Sequence, residues 1–170
     1  MRIAVGVMIV LVCIGFYSCN KQTPQVPANK IVVDNSDAQT LLAINKNLTS
    51  KEDSLLEMYV AKTDKKLIKN ELGFWYKVAR PGGKLKIEEE TTCNFSYKLS
   101  LLNGKLVDQG KKQVKIGKKE IVVGLEEGLK LIHHGDSALF IIPWYLGYGM
   151  KGEKSLVPAY TSIIYEIKVD

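Results

Sequence analysis

Hydrophobic and polar positions fall into three regimes along the chain. Residues 3–18, IAVGVMIVLVCIGFYS, carry no charge and follow Arg2. Over residues 37–62 apolar side chains recur at helical spacing, in two groups. Leu41, Leu42 and Ile44 follow Ser36-Asp37-Ala38-Gln39; Leu55, Leu56, Tyr59 and Val60 follow Thr49-Ser50-Lys51-Glu52. Each tetrad has the form of a capping box, so the spacing predicts two short amphipathic helices. From residue 72 the period drops to two. Thr91, Cys93, Phe95, Tyr97 and Leu99 alternate with Thr92, Asn94, Ser96 and Lys98, and Asn103-Gly104 supplies a hairpin turn to a strand through Lys105-Leu106-Val107-Asp108. An aromatic-rich strand, Leu72–Val78, precedes the turn signal Arg80-Pro81-Gly82-Gly83. Gly124–Ile132 reads as one short helix closed by His133-His134-Gly135-Asp136, Ala138–Ile142 as a buried strand, and Ser162–Val169 as a last alternating strand. The fold class expected is α+β: an antiparallel sheet wrapped on one short helix, with an N-terminal helical extension.

Composition divides the chain further. With 170 residues, 46% apolar and 25% charged, there is room for one ordinary globular domain. The first regime is better read as an address than as core. A basic start, an apolar run and small residues make a signal-peptide pattern over residues 1–18. Ser18-Cys19 at its end is similar to a bacterial lipobox, which makes Cys19 the lipidation site and residues 19–29, with Pro24 and Pro27, a solvated tether. An ordinary secretory signal or an uncleaved anchor fits the same run. A helical segment, 30–71, and a working domain, 72–170, complete the chain. Exported location and lipid attachment to the bacterial cell envelope are therefore expected. Only Cys93 remains for the domain, at an apolar strand phase, so a buried thiol and no internal disulfide are expected. The net charge of +6 is too small to argue for nucleic acid, and the six lysines between residues 105 and 119 read as a solvated strand face. His133 and His134 are adjacent, point apart and lack a third ligand, so they read as turn residues and no metal is expected.

An ordered set of motifs then carries a family resemblance. Glu120-Ile121-Val122-Val123-Gly124-Leu125-Glu126-Glu127-Gly128-Leu129, then Gly135-Asp136, Ile142-Pro143, Gly147-Tyr148-Gly149, Gly152, Val157-Pro158 and Ser162–Ile167 resemble FKBP-type peptidyl-prolyl isomerases over about residues 72–170. With the lipobox and helical segment, the chain further resembles exported lipoproteins of that type, including those associated with gliding motility. The resemblance implies rotation about X-Pro bonds in proline-containing polypeptides, without cofactor. It implies catalytic roles for Tyr97, Asp108, the backbone N–H of Val122 and the hydroxyl of Tyr148. It implies a substrate pocket of Val107, Ile121, Leu125, Val157 and Tyr165, with Leu125 as its floor. Asp108-Gln109-Gly110 also fits a turn, and the tyrosines on alternating strand positions also fit ordinary core.

Several positions depart from the family pattern. Val107 and Tyr165 stand where Phe is usual, Leu125 where Trp is frequent, and Lys112 where another aromatic lines the pocket. Lost aromatic area weakens apolar contact by about 25 cal/mol per Å² and predicts a wider, wetter pocket. A non-catalytic binding module on the same fold is the competing expectation.

Overall fold

In a computed structural model that describes residues 35–63 and 66–170, six antiparallel strands form one sheet in the order β1-β2-β5-β6-β3-β4. The strands are β1 (Ile68–Lys69), β2 (Trp75–Arg80), β3 (Thr92–Leu101), β4 (Leu106–Lys115), β5 (Ser137–Ile142) and β6 (Ile163–Val169), with helices α1 (Asn35–Ala61) and α2 (Val123–Leu129). The expected signal, the tether and Cys19 lie outside the described residues. The chain divides into two units, Met1–Thr40 and Leu41–Asp170. Of the first, only the opening turns of α1 are described; the sheet, α2 and the rest of α1 belong to the second.

The inner face of the sheet is built by the alternation seen in the sequence. Cys93, Phe95 and Leu99 of β3 point inward and are buried, as are Val114 of β4 and Tyr165, Ile167 and Val169 of β6. They pack on Leu125 and Leu129 of α2 and on Phe140 and Ile142 of β5. Two glycines of α2 permit this contact. A Cβ on Gly124 would lie 2.5 Å from Ile142 Cγ2, and one on Gly128 would lie 2.5 Å from Phe140 Cε1. Helix and sheet therefore meet backbone to side chain. Cys93 is fully buried, and burial pushes its thiol up to about 11.

The outer face carries α1, and here the structure differs from the expected pair of helices. One continuous helix runs through the second tetrad. The Thr49 hydroxyl donates to the carbonyls of Asn45 and Lys46, and Ser54 donates to that of Ser50, instead of capping a new start. Ser36 likewise lies inside the helix rather than before it. What decides the matter is docking: Leu56 and Val60 bury against Ile141 and Ile164 of the sheet. That second layer explains why Ile163, Ile164 and Tyr165 are buried in succession although a strand covered on one face would alternate. Leu41, Leu42, Ile44, Leu55 and Met58 of α1 remain exposed. Among the described residues no helix is long and apolar enough to cross a membrane.

Two buried carboxylates hold the connections. Asp136 accepts N–H bonds from Gly82 (2.7 Å), His133 (2.9 Å) and Gly83 (3.4 Å), which closes the turn after β2 onto the start of β5. Burial pushes the Asp136 carboxyl up, but the three donors outweigh it and hold it below the ordinary value. Glu126 of α2 accepts from Gly117 N–H (2.9 Å) and Lys119 N–H (3.2 Å), fixing the segment that leads from β4 to α2. Asp108 lies well inside β4, paired with Leu99, so the turn reading of Asp108-Gln109-Gly110 is not what forms.

Candidate active site

The β4–α2 segment, the loop after β5 and the inner ends of β3 and β6 enclose a cleft of about 350 Å³. Ile121 and Val122 arrive on the segment braced by Glu126. Val122 is the N-cap of α2, and its carbonyl accepts from Leu125 N–H (3.0 Å) and Glu126 N–H (3.1 Å). Its own N–H donates to no protein acceptor among the described residues. Val122 lines the cleft, so a half-buried residue there keeps a backbone donor that the protein does not engage.

Tyr148 comes from the loop after β5. Gly149, at φ 68°, makes the turn and donates its N–H to the Trp144 carbonyl (2.8 Å). The Tyr148 and Tyr165 hydroxyls lie 3.0 Å apart. Burial pushes both phenols above their ordinary value. Val157 is brought in by a small loop closed between Glu153 N–H and the Val157 carbonyl (2.9 Å). Gly152 permits that closure, since a Cβ there would lie 2.1 Å from the Val157 oxygen.

On the other wall Tyr97 donates its hydroxyl to Asp108 Oδ2 (2.7 Å), while Gln109 N–H donates to Asp108 Oδ1 (2.8 Å). Burial, then the Asp108 carboxylate, pushes the Tyr97 phenol up to about 12. Its ring packs tilted on Tyr165 with centroids 5.9 Å apart, so the aromatic wall and the hydroxyl pair form one connected group. Lys112, which stands where the resemblance expects an aromatic, also lines the cleft. Its Nζ lies 5.6 Å from the Tyr97 ring centroid, a cation–π approach.

Six of the nine residues singled out in the sequence line this cleft: Asp108, Ile121, Val122, Tyr148, Val157 and Tyr165. The other three do not form its wall. Leu125 is buried in the core beneath, and Val107 packs half-buried against that core. Tyr97 reaches the site through Asp108 and Tyr165, while its ring also edges a shallower groove of about 530 Å³ across β4, β3 and β6. That groove is the more open of the two, carries exposed Lys98, Lys111, Glu166 and Lys168, and holds neither the Val122 N–H nor the Tyr148–Tyr165 hydroxyl pair. Lys119, Glu120, Glu153 and Leu156 also line the cleft. Sequence reasoning missed these roles because loop positions have no period; only Glu120, next to Ile121, stood inside a quoted motif. Among the described residues no group of three or more His, Cys, Asp or Glu side chains is placed to hold a metal ion. His133 Nδ1 lies 3.5 Å from Asp136 Oδ2 and His134 Nδ1 3.1 Å from the Asp170 carbonyl.

Comparison with known proteins fits this geometry. The family model for FKBP-type peptidyl-prolyl cis-trans isomerases matches residues 83–170, more than half of the chain, and the chain belongs to that family. A Buchnera aphidicola protein named FKBP-type peptidyl-prolyl cis-trans isomerase FkpA is 31% identical over 104 residues, 59% of this chain and 43% of that protein. A probable FKBP-type isomerase from Haemophilus influenzae is 29% identical over 100 residues, 57% of this chain and 42% of that protein. The chain thus matches less than half the length of these curated relatives. The crystal structure of FkpA from Escherichia coli superimposes with a TM-score of 0.62 at 23% identity, covering 79% of this chain and 63% of that one. A peptidyl-prolyl isomerase from Pseudomonas syringae gives 0.61 at 20% identity, covering 71% and 92%. Both likenesses concern the fold.

Proposed function

We propose that the cleft binds a proline-containing peptide and accelerates cis–trans rotation about the X-Pro bond. The barrier, about 18–20 kcal/mol, comes from amide resonance lost in the twisted state. No nucleophile or metal is needed: an apolar wall that strips water from the amide and fixed donors for the flanking carbonyls favour the twisted geometry. The observation that carries the reading is the meeting of the open Val122 N–H with the Tyr148 hydroxyl, paired to Tyr165, over an apolar wall of Ile121 and Val157. Asp108, held by the Tyr97 hydroxyl, adds a carboxylate to the lining.

The setting belongs to the same proposal. An export signal over residues 1–18, lipid attachment at Cys19, and service to folding proteins of the cell envelope are supported by the lipobox-like Ser18-Cys19 and the resemblance to gliding-motility-associated lipoproteins. Expressed in a bacterium, a Cys19→Ser chain should leave the membrane fraction; retention there would overturn the lipid anchor. Isomerisation of a short X-Pro peptide by the purified protein tests the activity. Binding without acceleration would favour the non-catalytic module instead, the reading that Lys112 in place of an aromatic supports.

A further inference from the structure

Five charged side chains stand around the cleft: Asp108, Lys112, Lys119, Glu120 and Glu153. They are not equally free to meet a ligand. Asp108 has both oxygens engaged, by Tyr97 and by Gln109 N–H. Glu120 accepts from Lys115 N–H at 3.0 Å. The neighbouring lysines Lys115 and Lys118 share the Glu90 carboxylate, at 3.0 and 2.7 Å. Lys112 and Lys119 differ from these: no carboxylate of the described residues lies within ion-pair distance of either, and of the two it is Lys112 whose ammonium is set over a ring face, that of Tyr97. An aromatic face orients an ammonium group without cancelling its charge. Lys112 is also opposite Phe95 in the β3–β4 register, at the phase that points to the inner side of the sheet. Its stem therefore rises beside the cleft, not from the outer face that carries Lys111.

From this we infer that Lys112, held on Tyr97, makes a subsite for an acidic side chain next to the proline of the bound peptide. The inference rests on the isomerase reading and names its preferred substrate class. On β4 the Asp108 carboxylate is already engaged by two donors, while Lys112 has no carboxylate partner among the described residues. Glu153 stands in the loop that closes with Val157, so an unengaged cation lies on the β4 side and a carboxylate on the loop side. A peptide with a carboxylate toward β4 matches that polarity, and one with a lysine there meets like charge. A solvent-accessible pair of this kind is worth up to about 1 kcal/mol, a factor of about five at most.

The test compares peptides bearing Glu, Gln or Lys immediately before proline, and a second series bearing them immediately after. Both the isomerisation rate and binding, followed by NMR shifts, are measured with the full protein. Glu peptides should exceed Lys peptides by about threefold to fivefold in one series, and about 0.5 M NaCl should flatten the ratio. In Lys112→Phe and Lys112→Gln the Glu-to-Lys ratio should fall to about one. Equal binding of Glu, Gln and Lys peptides in both series, or a ratio that survives in both variants, would overturn the inference. Peptides that bind with the charge preference but are not isomerised faster than in buffer would overturn the isomerase reading and leave the subsite standing.

Discussion

The molecule uses the same pair of groups, a tyrosine hydroxyl on an aspartate, at two places with different neighbours. Tyr145, from the turn after β5, donates to Asp53 of α1, joining segments 92 residues apart. Beside it Ser162 donates to Glu52 and accepts from Trp144 N–H. Leu56 and Val60 complete that seam with buried apolar contact. Tyr97 and Asp108 instead join neighbouring strands that are already paired along most of their length, and Asp108 opens on the cleft. Identical chemistry thus fastens α1 to the domain in one case and shapes a binding wall in the other. What surrounds the pair, not the pair itself, decides which.

Substitutions at the two places should therefore separate stability from activity. The largest effect is expected from Leu56→Ala, which empties a fully buried position under α1. Such truncations cost about 2–5 kcal/mol, read as a shift in denaturant midpoint. Isomerisation per folded molecule should stay unchanged. Tyr145→Phe should come next at about 1–3 kcal/mol, because it leaves the half-buried Asp53 carboxylate without its donor. At the cleft the ranking should reverse. Asp108→Ala and Tyr97→Phe should lower kcat/KM several-fold to about tenfold, or about 1 kcal/mol of transition-state binding, with less loss of stability than Tyr145→Phe. Equal stability losses at both pairs would break the comparison.

The smallest effect concerns pH. The Tyr97 phenol is pushed up to about 12 from 10.0, and Tyr148 is raised as well, so neither hydroxyl loses its proton near neutrality. Titration of these tyrosines should leave the rate flat from pH 7 to 9. In the unfolded chain Tyr97 ionises near its ordinary value while the folded group keeps its proton. Its contribution to stability is therefore complete below about pH 10 and is lost as pH rises toward about 12. Alkaline denaturation of Tyr97→Phe should show a shallower decline over that window.

Some of this was legible in the chain. Alternation placed Cys93, Phe95 and Leu99 inward, because a strand with one buried face admits only that register. The glycine-bearing motifs pointed to the loop of Tyr148, but the close contact at α2, where a side chain at Gly124 or Gly128 would strike β5, was not read from them. The single α1 was not legible. A Thr-Ser pair satisfies its hydroxyls equally well as a cap or on carbonyls of the preceding turn, and the choice is made by docking of Leu56 and Val60 far away in sequence. The two-residue β1 carries no period to detect. Val107 was placed in the pocket by motif position, which indicates an element and not the direction of its side chain, whereas Leu125, expected as the floor, lies buried beneath the cleft. Lys112 read as a lost aromatic, whereas its ammonium uses the Tyr97 face and leaves a charge at the site.

The central claim, that the cleft catalyses X-Pro rotation, is tested most directly by following cis-to-trans conversion of a short Leu-Pro peptide. The purified protein and its Asp108→Ala variant are run side by side. Acceleration over buffer should rise in proportion to protein concentration and fall several-fold in the variant. A rate equal to that in buffer, from protein shown to be folded, would contradict the claim.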